Sequence, residues 1–316
     1  MDKTTTLYVV VPCYREEEVL PTTRKVLCDL LDSLVENNDI GQDSRVLFVD
    51  DGSTDNTWAM LEAYAHQYER VAAVKLAGNV GHQNALLAGL TVAAEHADAI
   101  VSIDADLQDD EQAIKQMLEH YHQGCDIVYG VRDSRATDTW FKRTTAQGFY
   151  KIMNYFGVKT IYNHADYRLM SQRAVKQLLC YGERNVFLRG IVTLVGYKTA
   201  KVYYDRKERM AGESKYPLSK MLSFAADGIT SFSIKPVRFV LLLGLFFILT
   251  ALCILGYVIW SIFRGNIASG WASIMLSVWF VGGCILTALG VVGEYIGKIY
   301  IEVKKRPRFN IEKIEF

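Results

Sequence analysis

Ala99-Ile100-Val101-Ser102-Ile103-Asp104-Ala105-Asp106-Leu107-Gln108 is the stretch on which the reading of this chain turns. A short apolar run predicts a buried strand, and two carboxylates one residue apart stand at its end. Paired hard oxygen ligands can hold a divalent cation that also grips a diphosphate. The pair by itself fits a turn and helix cap equally well. A second acidic run, Asp50-Asp51-Gly52-Ser53-Thr54-Asp55, ends an earlier apolar segment. Two acidic strand ends in one α/β pattern point to a nucleotide site.

Apolar runs alternate with helical spacing on either side of this stretch. Leu7–Val11, Arg45–Val49, Val71–Leu76, Ala99–Ile103 and Asp126–Tyr129 read as strands. Glu17–Glu36, Thr54–Tyr68, His82–Glu95 and Glu111–Gln123 read as helices between them. The alternation predicts an α/β domain whose sheet is mostly parallel, with helices on both faces. Ligands of such sheets lie beyond the carboxyl ends of the strands, where Pro12-Cys13-Tyr14, Asp50–Ser53 and Asp104–Asp106 all fall. After Asp133 the pattern loosens. Trp140–Phe156, Ser171–Cys180 and Asn185–Val195 look helical, and Thr199–Tyr204 looks like a strand. Lys215–Ser233 has amphipathic spacing, which suits an interfacial helix or a helix packed on the soluble domain.

The 316 residues carry 35 basic and 35 acidic side chains, but unevenly along the chain. The first two thirds are acidic and the remainder basic, which suits an anionic membrane surface and gives no reason to expect nucleic acid. No charged residue occurs from Phe239 to Phe263 or from Gly265 to Gly293. About 20 apolar residues cross a bilayer, so a two-helix transmembrane hairpin is expected. Lys220, Lys235 and Arg238 before it and Lys298, Lys304, Lys305, Arg306 and Arg308 after it predict that both termini are cytoplasmic. No secretory leader is recognisable near Met1. The six cysteines show no Cys-x-x-Cys spacing, which fits a reduced compartment and no zinc site. The expected organisation is a catalytic domain over residues 1–212, a juxtamembrane region over 213–236, spans near 239–263 and 271–293 within 237–297, and a tail over 298–316.

The order of motifs is more specific than any one of them. Val10-Val11-Pro12-Cys13-Tyr14-Arg15-Glu16 is followed by the Asp50–Asp55 run, by Gly78-Asn79-Val80-Gly81, and by Asp104-Ala105-Asp106-Leu107-Gln108. This series resembles the family-2 glycosyltransferases, which have the GT-A nucleotide-sugar-binding fold. Ala165-Asp166-Tyr167-Arg168-Leu169-Met170, Arg209-Met210-Ala211-Gly212-Glu213-Ser214-Lys215-Tyr216, Gly293-Glu294-Tyr295-Ile296-Gly297-Lys298 and Arg306-Pro307-Arg308 narrow the resemblance. They are similar to the polyprenyl-phosphate glycosyltransferases, nearest to the bactoprenol glucosyltransferases and further from the dolichol-phosphate mannose synthases. The resemblance covers nearly the whole chain.

It implies a metal-dependent transfer of one sugar, with inversion, from a nucleotide-sugar to undecaprenyl phosphate at a bacterial inner membrane. Mg2+ or Mn2+ is the implied cofactor, with Asp104, Asp106 and Gln108 as its set. Pro12, Tyr14, Glu16, Asp51 and Ala105 fall in the implied donor site, with Arg209 and Lys215 closing on the diphosphate. Tyr14 can instead pack in the core. Arg132, Lys142, Arg143 and Arg206 are implied to meet the acceptor phosphate, although the basic pair here is Lys-Arg where relatives often have Arg-Lys. Asp106 and Asp166 are the implied catalytic residues, and Asp166 stands where the family's base is usually placed. A phosphate monoester with a second pKa of about 6 is already largely dianionic and nucleophilic, so an orienting role for Asp166 is the alternative. Asn79 and Gln83 read as caps of the helix that starts near Gly81, and His82 as a residue at its start.

UDP-glucose and UDP-N-acetylglucosamine are the first donors to expect. A separate flippase and a downstream glycosyltransferase follow as partners, together with membrane lipids. Gly282-Gly283, Gly290 and Gly293 permit close helix packing, which leaves a homo-oligomer open. A processive polysaccharide synthase is the rival enzyme reading, but its Gln-x-x-Arg-Trp motif is absent. A non-catalytic nucleotide-sugar-binding scaffold is the rival from another class, and the intact Asp-x-Asp pair speaks against it.

Overall fold

The computed structural model describes residues 4–133, 164–184, 187–205, 235–264 and 270–316. Its centre is one eight-stranded sheet in the order β7-β5-β6-β4-β1-β2-β3-β8. The strands are β1 (Leu7–Cys13), β2 (Arg45–Asp50), β3 (Val71–Leu76), β4 (Ala99–Ser102), β5 (Ile127–Arg132), β6 (His164–Ser171), β7 (Thr199–Tyr204) and β8 (Ile311–Glu315). Helices α1 (Leu20–Glu36), α2 (Thr57–Gln67), α3 (His82–His96) and α4 (Ala113–His122) connect the first five strands. Helices α5 (Gln172–Leu179) and α6 (Leu188–Leu194) lie between β6 and β7, and α7 (Lys235–Phe263) and α8 (Trp271–Lys304) precede β8.

Side chains alternate across a strand, and the two cores follow that period. Leu7, Val9 and Val11 of β1 pack with α1, α2 and α4 on one face. Tyr8 and Val10 pack with α3, α5 and α6 on the other. Helix α1 meets its face through Leu20, Leu27, Leu30, Leu31 and Leu34, all buried, at the three- and four-residue spacing of an amphipathic helix. Helix α3 is pressed closest to the sheet, at Gly89. A Cβ there would stand 2.4 Å from Val10 Cγ1 and 2.7 Å from Val49 Cγ2. Gly89→Ala is therefore expected to destabilise the fold by about 1–3 kcal/mol through overpacking. A lower Tm in detergent with unchanged helical content checks this.

Two expectations are corrected here. The sheet is mixed, not mostly parallel: β1–β2, β1–β4, β2–β3 and β5–β7 are parallel, but β3–β8, β4–β6 and β5–β6 are antiparallel. The cause is β6, inserted between β4 and β5, and β8, which returns from the C-terminal helix to cover the β3 edge. Strand β8 is charged, as edge strands often are, and Lys75–Glu312 at 2.8 Å and Lys313–Glu62 at 2.7 Å tie it down.

The second correction concerns the membrane. Among the described residues one segment, Phe280–Lys304 in α8, is long and apolar enough to cross a bilayer. The expected two-span hairpin, and the multi-pass placement built on it, do not stand. Helix α7 forms over Lys235–Phe263. The qualifying segment also runs past the expected limit near Gly293 and takes in Glu294, Lys298 and Glu302. The helices expected at Trp140–Phe156 and Lys215–Ser233 lie outside the described residues.

Candidate active site

Three loops meet beyond the carboxyl ends of β1, β2 and β4, and backbone bonding holds them together. Past β1, the Arg15 N–H donates to Ser53 Oγ and the Glu16 N–H to Thr57 Oγ1, both at 3.0 Å. Arg15 has a φ of 57°, uncommon for a residue with a side chain. Its guanidinium lies 5.3 Å from the centre of the Tyr14 ring. Tyr14 is 41% exposed, which favours a wall of an open site over core packing, whereas Pro12 is buried within β1.

Past β2, buried Asp51 turns toward the loop after β3. Its carboxylate accepts the Val80 N–H at 2.7 Å and the Gly81 N–H at 3.0 Å. Its carbonyl accepts Asn79 Nδ2–H at 3.2 Å. Burial pushes the Asp51 carboxyl up, and the two amide bonds oppose that shift. Asp51 is thus a clamp on the Gly78–Gly81 loop. Asn79 serves that clamp and does not cap α3, and Gln83 Oε1 accepts the Leu188 N–H at the start of α6. Gly52 completes the joint, with a φ of 65° and an ideal Cβ position only 2.7 Å from Asn79 N and Gly78 C. Gly52→Ala is expected to force the two loops apart and weaken nucleotide affinity about tenfold or more, from the strain of a left-handed backbone plus the clash. Titration calorimetry with UDP checks it.

Past β4, the Asp-Ala-Asp turn is bonded from within and without. Gln108 N–H donates to Asp106 Oδ1 at 3.3 Å, and Thr23 Oγ1–H of α1 donates to the Ala105 carbonyl at 2.6 Å. Leu107 takes a φ of 48° to complete the turn. His82 Nε2 lies 3.5 Å from Asp104 Oδ1. The Asp104 carboxyl is pushed up by burial and by the Asp166, Asp109 and Asp106 carboxylates, with His82 opposing.

Asp166 on β6 closes the centre from the other side. Its Oδ1 accepts Arg168 Nη2–H at 3.0 Å and Arg189 Nε–H at 3.3 Å, and its Oδ2 accepts Arg189 Nη2–H at 3.0 Å. Burial opposes ionisation, but Arg189 and Arg168 outweigh it and hold the carboxyl far below the usual range. The Asp166 carbonyl accepts Ser102 Oγ–H at 2.6 Å, which fixes β6 to the end of β4.

Arg132, expected at the acceptor phosphate, donates through Nε and Nη2 to Asp109 Oδ1 at 3.2 and 2.9 Å. Tyr204 donates to the same oxygen at 2.7 Å. The structure therefore brings Asp104 and Asp166 together, with Asp106 in the same turn, and puts Tyr14, Glu16 and Asp51 in the adjoining loops. Lys142, Arg143, Arg206, Arg209 and Lys215 lie outside the described residues. Sequence reasoning missed His82, Arg168 and Arg189. The position of His82 one residue past the Gly-Asn-Val-Gly loop, at the same sheet edge as the two acidic runs, was the available signal.

Among the described residues no group of three or more His, Cys, Asp and Glu side chains is placed to hold a metal. Mg2+ characteristically takes one or two protein carboxylates and completes its shell with substrate phosphate and water. Asp104 and Asp106, crowded by further carboxylates, fit that smaller requirement. Gln108 is buried beneath the turn.

Residues 8–179 match the family model described as glycosyl transferase family 2. An uncharacterized glycosyltransferase of Bacillus subtilis, YkoT, is 54% identical over 97% of this chain and 91% of its own. The bactoprenol glucosyl transferase of Shigella phage SfII is 38% identical over 96% of this chain and 97% of its own. Among solved structures, mannosyl-3-phosphoglycerate synthase from Rubrobacter xylanophilus aligns over 71% of each chain with a TM-score of 0.47 and 16% identity.

Proposed function

The chain belongs to glycosyl transferase family 2, and from that premise we propose that it moves one sugar from a UDP-sugar to undecaprenyl phosphate. UDP-glucose and UDP-N-acetylglucosamine are the first donors to test. The acceptor phosphate oxygen forms a bond to the anomeric carbon, the bond from that carbon to the diphosphate breaks, and configuration inverts. The observation that carries this reading is the end-to-end similarity, at 38% identity, to proteins named as bactoprenol glucosyl transferases.

The residues support the chemistry in separate ways. Asp51 holds the Gly78–Gly81 loop beside the donor, and exposed Tyr14 offers a face for the base. Asp104 and Asp106 would hold Mg2+ or Mn2+. Such an ion, when bound, offsets charge on the leaving nucleoside diphosphate. Asp166 holds Arg189 at the edge of the site, where a guanidinium can meet a phosphate. Asp166 is a weak base in this setting, and a phosphate acceptor needs no proton removed at neutral pH. Arg209 and Lys215 toward the diphosphate, and Lys142, Arg143 and Arg206 toward the acceptor, are proposed on the sequence alone. The product would pass to a separate flippase and a downstream glycosyltransferase.

The test uses full-length protein in detergent with undecaprenyl phosphate, Mg2+ or Mn2+, and a panel of radiolabelled UDP- and GDP-sugars. A glycolipid formed from one UDP-sugar is the expected result. Transfer from a GDP-sugar alone would overturn the donor assignment. Transfer to another acceptor, with none to undecaprenyl phosphate, would overturn the acceptor.

A further inference from the structure

At the C-terminal end of the Phe280–Lys304 segment a cavity of about 300 Å³ opens between α8, the loop after α5 and the first turn of α3. Arg184, Lys304, Arg306 and Arg308 line it with Tyr300 and Asn84, and none of its lining residues is acidic. The walls are fixed. Arg184 N–H donates to Glu302 Oε1, and Arg308 Nη2–H donates to the Tyr181 carbonyl. Lys304 Nζ sits 4.1 Å from the centre of the Tyr300 ring. The Arg308 side chain is destabilised in its charged form by burial and by Arg184, with Glu302 and Glu183 offsetting part of this. Four cations gathered around one hollow repel one another unless an anion joins them.

We infer that this cavity binds the phosphate of an anionic membrane phospholipid, at a site separate from the transfer centre. Three observations select that occupant. The cavity lies where the candidate span ends, at the depth of headgroups, and its lining includes the exposed apolar side chain of Ile301. Its charge suits a phosphodiester without a compensating amine, and basic pockets at the ends of membrane helices take such headgroups. Its position excludes the reacting acceptor. Asn84 lines the cavity, whereas His82 meets Asp104, and two residues turn about 200° around a helix. The cavity and the acidic centre thus lie on opposite sides of the first turn of α3, so a phosphate seated here is not presented to a sugar at Asp104.

The site also has a mechanical consequence. From the cavity the chain runs directly into β8, with the Ala77 N–H donating to the Asn310 carbonyl at 2.9 Å. A bound lipid would fix α8, β8 and the β3 edge as one unit beside the Gly78–Gly81 loop.

The experiment follows thermal unfolding of full-length protein in neutral detergent, without donor or acceptor. The probes are short-chain phosphatidylglycerol, short-chain phosphatidylcholine, inorganic phosphate and undecaprenyl phosphate. Phosphatidylglycerol at saturation is expected to raise Tm by about 5 °C, phosphatidylcholine not to, and Lys304→Gln with Arg306→Gln to abolish the rise. Should the double variant unfold without lipid at a lower temperature than wild type, each single variant is expected to lose part of the rise. Equal shifts with both phospholipids, or a shift retained in the variants, would overturn the site. A shift with inorganic phosphate at the same concentration would assign it to a soluble anion, and a shift with undecaprenyl phosphate alone would assign it to the acceptor. Because no sugar is transferred in this measurement, its failure leaves the proposed reaction untouched.

Discussion

Replacing both Asp104 and Asp106 with Asn is expected to remove transfer activity by at least about 10²–10³-fold while leaving the fold intact. The size follows from losing preorganised stabilisation of charge at the leaving diphosphate. The intact fold follows from the local electrostatics. The half-exposed Asp104 carboxyl is pushed up by partial desolvation and by three neighbouring carboxylates, with His82 opposing, so losing its charge is not expected to cost stability. The double variant relieves that repulsion and keeps the shape of the turn, because the side-chain amide oxygen introduced by Asp106→Asn can still accept the Gln108 N–H. Tm is therefore expected to stay level or rise as the rate collapses, the usual opposition between function and stability at a charged site. Isothermal titration gives a third reading. Metal-dependent UDP binding should be lost, while any metal-independent binding through the Tyr14 and Asp51 loops remains. A double variant retaining a tenth of the wild-type rate would remove these carboxylates from the site.

The first four strands and their helices were legible because each is a buried apolar run followed by a helical period. The convergence of Tyr14, Asp51 and Asp104 then follows from the carboxyl-end rule for α/β sheets. Strand β6 was not legible as a strand. Asp166 and Arg168 occupy alternate positions on the face that also carries Met170, so the apolar alternation survives only on the other face, at Tyr167 and Leu169. Those two charged residues are tolerated near the core because they bond each other and Arg189, a tertiary arrangement with no local signature. Strand β8 was hidden by its charges, which belong to an edge. His82 was misjudged for the same reason as Asn79 and Gln83. All three were read against their own helix, but their partners are Asp104, Asp51 and Leu188 in other elements. The membrane expectation ended the second span at the first acidic residue, whereas the qualifying segment runs on to Lys304.

Asp166→Asn is expected to lower stability by about 3–5 kcal/mol, because it strips the carboxylate from a buried ion pair and leaves the cation behind. Arg168 is 2% exposed, and its Nη1 is buried with no hydrogen-bond partner among the described residues. Its charge is offset chiefly through Nη2 on Asp166. For a chain of this length the loss corresponds to roughly 10 °C in Tm. Combining Asp166→Asn with Arg168→Met removes both charges and is expected to recover most of the stability. Transfer should not recover with it, since Arg189 has still lost the negative charge and one of the two oxygens that hold its guanidinium in place. That separation distinguishes a positioning residue from a purely structural one. The pH profile distinguishes it from a base. A carboxyl held below its ordinary value contributes its full stability above the unfolded pKa of about 3.9 and loses it only as pH falls through the folded value. Arg189 and Arg168 set that folded value far below the usual range against the opposing effect of burial. Asp166 thus stays ionised throughout any practical assay, and the wild-type rate should show no acid limb from it. A general base works best with a pKa near the working pH, and this one is far removed. In the single variant the residual rate should therefore remain low as pH is raised from about 6 to 9, a range in which the acceptor phosphate completes its own ionisation. Recovery of transfer at the alkaline end, beyond what that ionisation gives the wild type, would restore Asp166 as the base and refute the positioning role.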